Sequence, residues 1–369
     1  MTTDPTLRGA SAELVRDALA RREPFPGTAG FAGRLDGRLL RDVLGRRTLF
    51  SEADDPSRWS FDRADLDDPA AVPAGYARDP RGDEKLWTLP TPAAASPDDA
   101  QTAVDWAVRT SVRKVDADGL AVAFSGGVDS ALVAAGVADA PCYVAGFPES
   151  HDVDAARSAA EAMGRDLRVV TLTHADLERA IPEIVRATGR TNAMDVSIAL
   201  PLYLVAERVA ADGFDRLAVG QGADELFGGY AKVANAPDDP RVEAGTVRGA
   251  TREVIATLPE QLERDVLALR AAGVEPVAPL LHDRVVETAL RVPESLLVAD
   301  GVRKVALRRA AAGLLPEPVA RADKKAVQYG SLVSRELDRL ARRAGFKRRM
   351  DDHVGRYVRS LVGAGSQRG

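Results

Sequence analysis

The stretch Gly119–Ser130, GLAVAFSGGVDS, decides the fold. Its first half, Gly119 to Phe124, is an apolar run of strand length. Its second half turns on Ser125, Gly126 and Gly127 and enters a helical pattern near Ala131 to Ala138. The glycines let the backbone turn tightly and present several N–H groups to one point, where the following helix adds the positive end of its dipole. That is an anion cradle suited to a pyrophosphate. No GK[ST] follows and no GxGxxG is present, so neither the Walker A loop nor the dinucleotide fingerprint applies. Asp129 inside an anion cradle calls for a cation between it and the phosphates, which points to Mg²⁺. Taken alone, the same residues are a glycine turn capped by Ser130.

Downstream, apolar runs alternate with amphipathic segments. Cys142 to Phe147 (CYVAGF), Leu167 to Leu172 (LRVVTL) and Arg216 to Val219 read as strands. Val153 to Met163, a stretch from about Asp176, and about Leu200 to Ala211 read as helices. Strands apolar on both faces and linked by helices predict a parallel sheet covered on both sides, with ligands at its carboxyl ends. From about residue 250 to the end the pattern is helical, with no strand signal. Upstream, Ser96 and PDD start a helix whose face is Val104, Ala107, Val108, Val112 and Val115. Residues 51–98 are rich in Asp, Pro and Gly and read as a long irregular connector with one or two short strands. Residues 1–50 hold a helix capped by Ser11, then strands around Phe31 to Leu35 and Leu39 to Val43. The fold class is therefore α/β: a parallel sheet flanked by helices, a helical C-terminal part and a small α+β N-terminal part. The expected division is 1–97 and 98–369.

Composition narrows the function classes. The 369 residues are 45% hydrophobic and 28% charged, an ordinary globular balance with room for a sizeable core. No apolar run reaches the roughly 18 residues a membrane span needs, and MTTDPTLRGA has no basic-then-apolar signal pattern. One cysteine, Cys142, excludes a disulfide framework and a cysteine zinc cluster, and the four histidines have no metal spacing. The net charge of -5 gives no basic footprint for nucleic acid. The chain reads as cytoplasmic. Its 7 Lys against 43 Arg, and 36 Asp against 19 Glu, suit a salty cytoplasm and equally follow from GC-rich coding.

A second segment, GQGADELFGGY (Gly220 to Tyr230), follows the strand Arg216 to Val219. Gln221, Asp224 and Glu225 lie in a glycine-bracketed turn. Asp224 would face Asp129 across the strand ends, so two carboxylates could hold one Mg²⁺ on a pyrophosphate. A third, RADKKAVQYGS (Arg321 to Ser331), carries the pair Lys324 and Lys325 in a chain with few lysines.

These segments carry a resemblance. SGGVDS resembles the pyrophosphate loop of the PP-loop ATP pyrophosphatases, of adenine-nucleotide alpha-hydrolase-like fold. GFPESHDVDAARSAAEAMG (Gly146 to Gly164), GQGADELFGGY and RADKKAVQYGS, in this order and spacing, resemble the synthetase domain of the asparagine synthetase family over roughly residues 98–335. The resemblance implies an ATP-dependent, AMP-forming amide ligase for asparagine biosynthesis, with ATP and Mg²⁺. It implies that Lys324, with Lys325 close behind and Arg321 in support, stabilises the adenylation transition state. Phe124, Ala145, Val219 and Gly220 would form the adenosine pocket, largely through backbone atoms, beside Ser125, Gly126, Gly127, Asp129 and Ser130 on the phosphates. The partners it implies are a small-molecule carboxylate, aspartate first, and ammonia, free or from a separate donating protein. A homodimer is compatible with it; no nucleic acid or membrane partner is expected.

The sequence also departs from that family. Glutamine-dependent members begin with a glutaminase domain whose cysteine follows the initiator Met; here Thr2 stands in that place, and Cys142 falls in a buried strand. GRLLRDVLGRRTLFSE (Gly37 to Glu52) still resembles a strand pair near the end of that domain, and Trp59 to Asp62 and Ala71 to Tyr76 its exit segment. The N-terminal part thus reads as a truncated, catalytically dead remnant. Gln221 replaces a glutamate that handles the proton of the attacking nitrogen, and an amide is no base; Glu225 is the other candidate. Ser197 in NAMDVSIALP (Asn192 to Pro201) stands where typical members carry an arginine. Two rival readings keep part of this: a PP-loop enzyme adenylating another substrate such as tRNA, and a non-catalytic paralogue.

Overall fold

The computed structural model describes residues 6–137, 139–236, 239, 241, 243–322 and 327–365. Two compact units divide the chain, the first formed by Met1–Val115, Gly220–Glu263 and Ala278–Leu314, the second by Asp116–Val219, Arg264–Val277 and Leu315–Gly369.

The second unit is built on β1 (Leu120–Ala123), β2 (Cys142–Gly146), β3 (Leu167–Thr171), β4 (Arg216–Ala218) and β5 (Glu275–Val277). They lie in the order β3-β2-β1-β4-β5, every pair parallel. Residues of β1 and β2 are buried on both sides, as continuous apolar runs require. The linking helices are α1 (Val128–Gly136), α2 (His151–Met163), α3 (His174–Thr188) and α4 (Ala193–Ala211), and α5 (Val333–Arg343) and α6 (His353–Gly365) follow. The α/β class and parallel sheet predicted from sequence are present. The order reverses direction beside β1, which makes its carboxyl end the topological switch point where such sheets bind ligands.

Two sequence expectations fail here. The region after residue 250 was expected to be helical throughout, yet Glu275–Val277 completes the sheet. Its middle residue is Pro276, opposite Leu217; proline cannot donate to a ladder and is confined to edge strands, so propensity hides this one. Helix α4 begins at Ala193, capped by Asn192, instead of near Leu200, because Pro201 lies inside it; a proline in sequence reads as a helix start.

The first unit contains an antiparallel sheet of Leu7–Arg8, Ala32–Leu35, Arg38–Arg41, Tyr76–Asp79 and Gly82–Lys85, and a second of Trp59–Ser60, Phe50–Glu52 and Pro69–Ala71. Ala32, Leu39, Leu49, Phe61 and Val72 pack between them. Residues 51–98 thus contribute to five short strands, where an irregular connector with one or two was expected. The strands are two to four residues long, too short to display a period of their own. The helix Ala12–Arg21 is capped by the Ser11 side chain, and Pro97–Arg113 by Ser96, with Val104, Ala107, Val108 and Val112 buried as predicted, while Val115 lies half-buried past the helix end. No helix among the described residues is long and apolar enough to cross a membrane.

Candidate active site

The loop Phe124–Ser130 leaves the carboxyl end of β1 and enters α1 with Gly127 at the N-cap. A glycine cap brings no side chain to the first-turn amides, an arrangement that suits an anion at a helix N-terminus. Gly126 has φ +77, and a Cβ there would lie 2.4 Å from the carbonyl oxygen of Ala155, so only glycine lets the loop rest on α2. Ser130 braces the turn. Its Oγ accepts from the Ser125 amide at 3.2 Å and donates to the Gly127 carbonyl at 3.1 Å. Asp129 sits in the first turn of α1, partly exposed.

The other second-unit residues gather at the same strand ends. Phe124 is buried, and its amide donates to the Tyr143 carbonyl at 2.7 Å. Ala145 is the penultimate residue of β2, and the Val219 amide donates to Val277 just past β4. Lys324 and Lys325 lie outside the described residues; their flanks are described. Arg321 is exposed and paired with Glu317 at 2.9 Å. On the far side, Gly330 accepts from Ser150 Oγ at 2.8 Å and Ser331 accepts from the Phe147 amide at 3.2 Å, just past β2. Gly330 and Ser331 are thereby anchored past the carboxyl end of β2.

Ser197 is buried, and its Oγ donates within α4 to the Met194 carbonyl at 2.9 Å. Two residues before it, Asp195 pairs with Arg264 at 2.9 Å and Arg190 at 3.2 Å. Burial alone would push its carboxyl up; hydrogen bonds from Asn192 and Arg264 hold it below the usual range. Cys142 is buried in β2 and burial raises its thiol, so the chain's one cysteine is a poor nucleophile.

Gly220 begins the second of the three stretches that form the first unit. Gly222 (φ +95) turns it into the short helix Ala223–Leu226. The Gly222 amide donates to Glu225 Oε2 at 3.1 Å and the Tyr230 hydroxyl donates to Glu225 Oε1 at 2.6 Å. Burial, and then the neighbouring Asp224, push the Glu225 carboxyl up, against the Tyr230 bond and the Lys304 charge. Asp224 is 43% exposed and its Oδ1 meets Lys304 Nζ at 2.6 Å. Gly229 makes room for it, since a Cβ at 229 would fall 1.9 Å from that oxygen. Gln221 is half-buried in the same turn. Sequence reading missed Lys304. The available signal was its rarity as one of 7 lysines; its left-handed backbone, φ 58, was not legible.

Among the described residues no three His, Cys, Asp or Glu side chains gather as a metal cage. Magnesium needs none: one or two carboxylates and substrate phosphates are its usual shell. Partly exposed Asp129 and Asp224 fit that donor chemistry.

The family model for asparagine synthase matches residues 100–253 and 239–359. A putative glutamine-hydrolysing asparagine synthetase of Methanocaldococcus jannaschii is 29% identical over 304 residues, 72% of this chain and 56% of that protein. Asparagine synthetase B of Escherichia coli is 27% identical over 180 residues, 48% of this chain and 32% of that protein. The glutamine-hydrolysing asparagine synthetase of Asparagus officinalis is 27% identical over 199 residues, 50% and 33% of the two chains. The chain thus spans between a third and a little over half of these relatives' lengths. With more than half its residues inside the family match, the chain belongs to the asparagine synthase family.

Proposed function

We propose that this protein is an ATP-dependent, AMP-forming carbon–nitrogen ligase of the asparagine synthetase type. The observation that carries this reading is the SGGVDS loop at the switch point of a β3-β2-β1-β4-β5 parallel sheet. In this reading ATP lies at the strand ends, its adenosine against the backbone of Phe124, Ala145, Val219 and Gly220. Its β- and γ-phosphates lie on Ser125, Gly126, Gly127 and Ser130. A carboxylate oxygen of the acceptor, aspartate first, attacks the α-phosphorus, and the bond to the β-phosphate oxygen breaks to release pyrophosphate. Ammonia then attacks the acyl carbon and AMP leaves. Asp129 and Asp224 are the carboxylates we assign to Mg²⁺, whose charge when bound stabilises the pyrophosphate as it leaves. Lys324, with Lys325 and Arg321 beside it, is assigned to the charge developing on the transferring phosphorus. The protein's part is positioning and charge neutralisation.

Gln221 can orient the nucleophile through its amide but cannot take a proton, so ammonia must arrive deprotonated or lose its proton to Glu225. The buried state of Cys142 supports ammonia, free or delivered by a separate protein, as the nitrogen source. The test is pyrophosphate release from ATP and Mg²⁺ across a panel of carboxylic acids, with and without ammonium. Acid-dependent release with amide formation in the presence of ammonium supports the reading; none with any acid contradicts it.

A further inference from the structure

The proposed chemistry makes no use of the segment Gly37 to Glu52, whose two strands belong to the two antiparallel sheets of the first unit. Its interior is nonetheless heavily committed. The Arg46 side chain is 2% exposed; its Nε donates to Asp42 Oδ1 at 2.9 Å and its Nη1 meets Asp283 Oδ1 at 2.6 Å. The same Nη1 donates to the Leu281 carbonyl at 2.8 Å. Asp283 in turn accepts from the amides of Gly27 and Thr28 at 2.9 and 2.7 Å. Burying a guanidinium between two carboxylates gains little stability over a well-packed apolar set. Such a trio does fix one geometry, because Nε and Nη1 of the planar fork reach Asp42, Asp283 and the Leu281 carbonyl together in only one orientation.

What that geometry holds is the turn Pro279–Leu281. The Leu281 side chain is the wall against Gly222: a Cβ on Gly222 would lie 2.7 Å from Leu281 Cδ2. Gly222 is the residue whose amide ties down Glu225, and Asp224 lies between them and Lys304. All of these residues belong to the first unit. A line of contacts therefore runs from the N-terminal segment through Arg46 and Leu281 to the acidic loop.

We propose that the N-terminal segment serves the synthetase reaction as a fixed support: Arg46 is a positioning residue that, through Leu281, sets the Gln221–Tyr230 loop. The functional half of this inference rests on the proposed adenylation; the mechanical half does not. The experiment uses the full chain and two perturbations. One is Leu281→Ala, with Leu281→Met as its conservative partner; the other is the charge-compensated pair Arg46→Met with Asp283→Asn. Hydrogen exchange is followed by mass spectrometry in peptides covering 220–230, with 142–146 in the second unit as reference, alongside kcat and KM for ATP in pyrophosphate release.

Leu281→Ala and the paired variant are expected to speed exchange in 220–230 by about tenfold or more while 142–146 keeps its rate. They should lower kcat by a similar factor with KM for ATP little changed, and Leu281→Met should restore wild-type exchange. Exchange that speeds in 142–146 as much as in 220–230 in both Leu281→Ala and the paired variant overturns the proposal. Wild-type exchange in 220–230 with Leu281→Ala overturns the proposal, whatever the effect on stability. Wild-type protein that releases no pyrophosphate contradicts the adenylation reading instead, while the exchange data still judge the support.

Discussion

Replacing Gly126 by alanine tests the phosphate loop at its tightest point. Two costs follow from the structure. At φ +77 a β-carbon meets its own backbone, a penalty of about 1–2 kcal/mol for an L-residue. The new methyl would also sit 2.4 Å from the Ala155 oxygen, 2.5 Å from its carbon and 2.8 Å from the Ala156 nitrogen. These are backbone atoms of α2 and cannot swing aside, and overpacking of this kind costs about 1–3 kcal/mol. Together they approach about 2–5 kcal/mol, a large share of the ~5–15 kcal/mol that holds a domain together. The loop can lower this cost only by lifting off α2, which moves the cradle. Displacement near 1 Å can cost about 10²-fold in rate. Gly164→Ala is the control: it has φ +63 with nothing among the described residues within 4 Å, so it carries the backbone penalty alone. Urea unfolding should place Gly126→Ala well below Gly164→Ala, and only Gly126→Ala should lose nucleotide binding and pyrophosphate release. Equal stability and equal ATP affinity in the two variants would refute the reasoning.

Gly229→Ala should uncouple Asp224 from Lys304, because its methyl occupies the space of Asp224 Oδ1; we expect at least about tenfold slower pyrophosphate release, checked by steady-state assay against an unchanged far-ultraviolet spectrum. Asp129→Asn should lose several kcal/mol of transition-state stabilisation, to be read as near-complete loss of pyrophosphate release without loss of fold. His282 is held from 6.5 down to about 4, by burial first and then by the charges of Arg284, Arg46 and Lys114. Its folded pKa is depressed, so its stabilising share is present above about pH 6.5 and is lost as pH falls towards 4. Solvent screening of the half-buried imidazole leaves that share well below the ~3 kcal/mol that the full shift would carry, and denaturant midpoints of His282→Gln should depend less on pH over this window. Amide formation by wild type should rise with pH more steeply than adenylation, and Gln221→Glu should gain amide synthesis at neutral pH; general-base help is worth about 10²–10⁴-fold. A pH-independent ratio of the two rates, unchanged in Gln221→Glu, would contradict this assignment.

What was legible in the sequence follows from where the information resides. The strands β1 and β2 are apolar on both faces, and GLAVAFSGGVDS announces its turn through its own glycines, so the centre of the sheet and the loop could be read locally. The strand around Pro276 could not, because its place depends on an edge position that only the assembled sheet provides. The short strands from Phe50 to Lys85 likewise take their form from partners: Tyr76–Asp79 is extended because it pairs with Arg38–Arg41. In the acidic turn, Asp224 and Glu225 were readable as chemistry, but their partners were not. Tyr230 closes on Glu225 from within the motif, whereas Lys304 comes from 80 residues further along the chain. Arg46 was legible only as part of a segment without a nucleophile; its pairing with Asp283 spans more than 200 residues.

The most direct test of the central claim is the product balance with ATP, Mg²⁺, aspartate and ammonium. The account predicts that AMP, pyrophosphate and the amide form in equal amounts and only when the acid is present. ADP and phosphate as products, or no acid-dependent turnover across the panel of carboxylates, would contradict it.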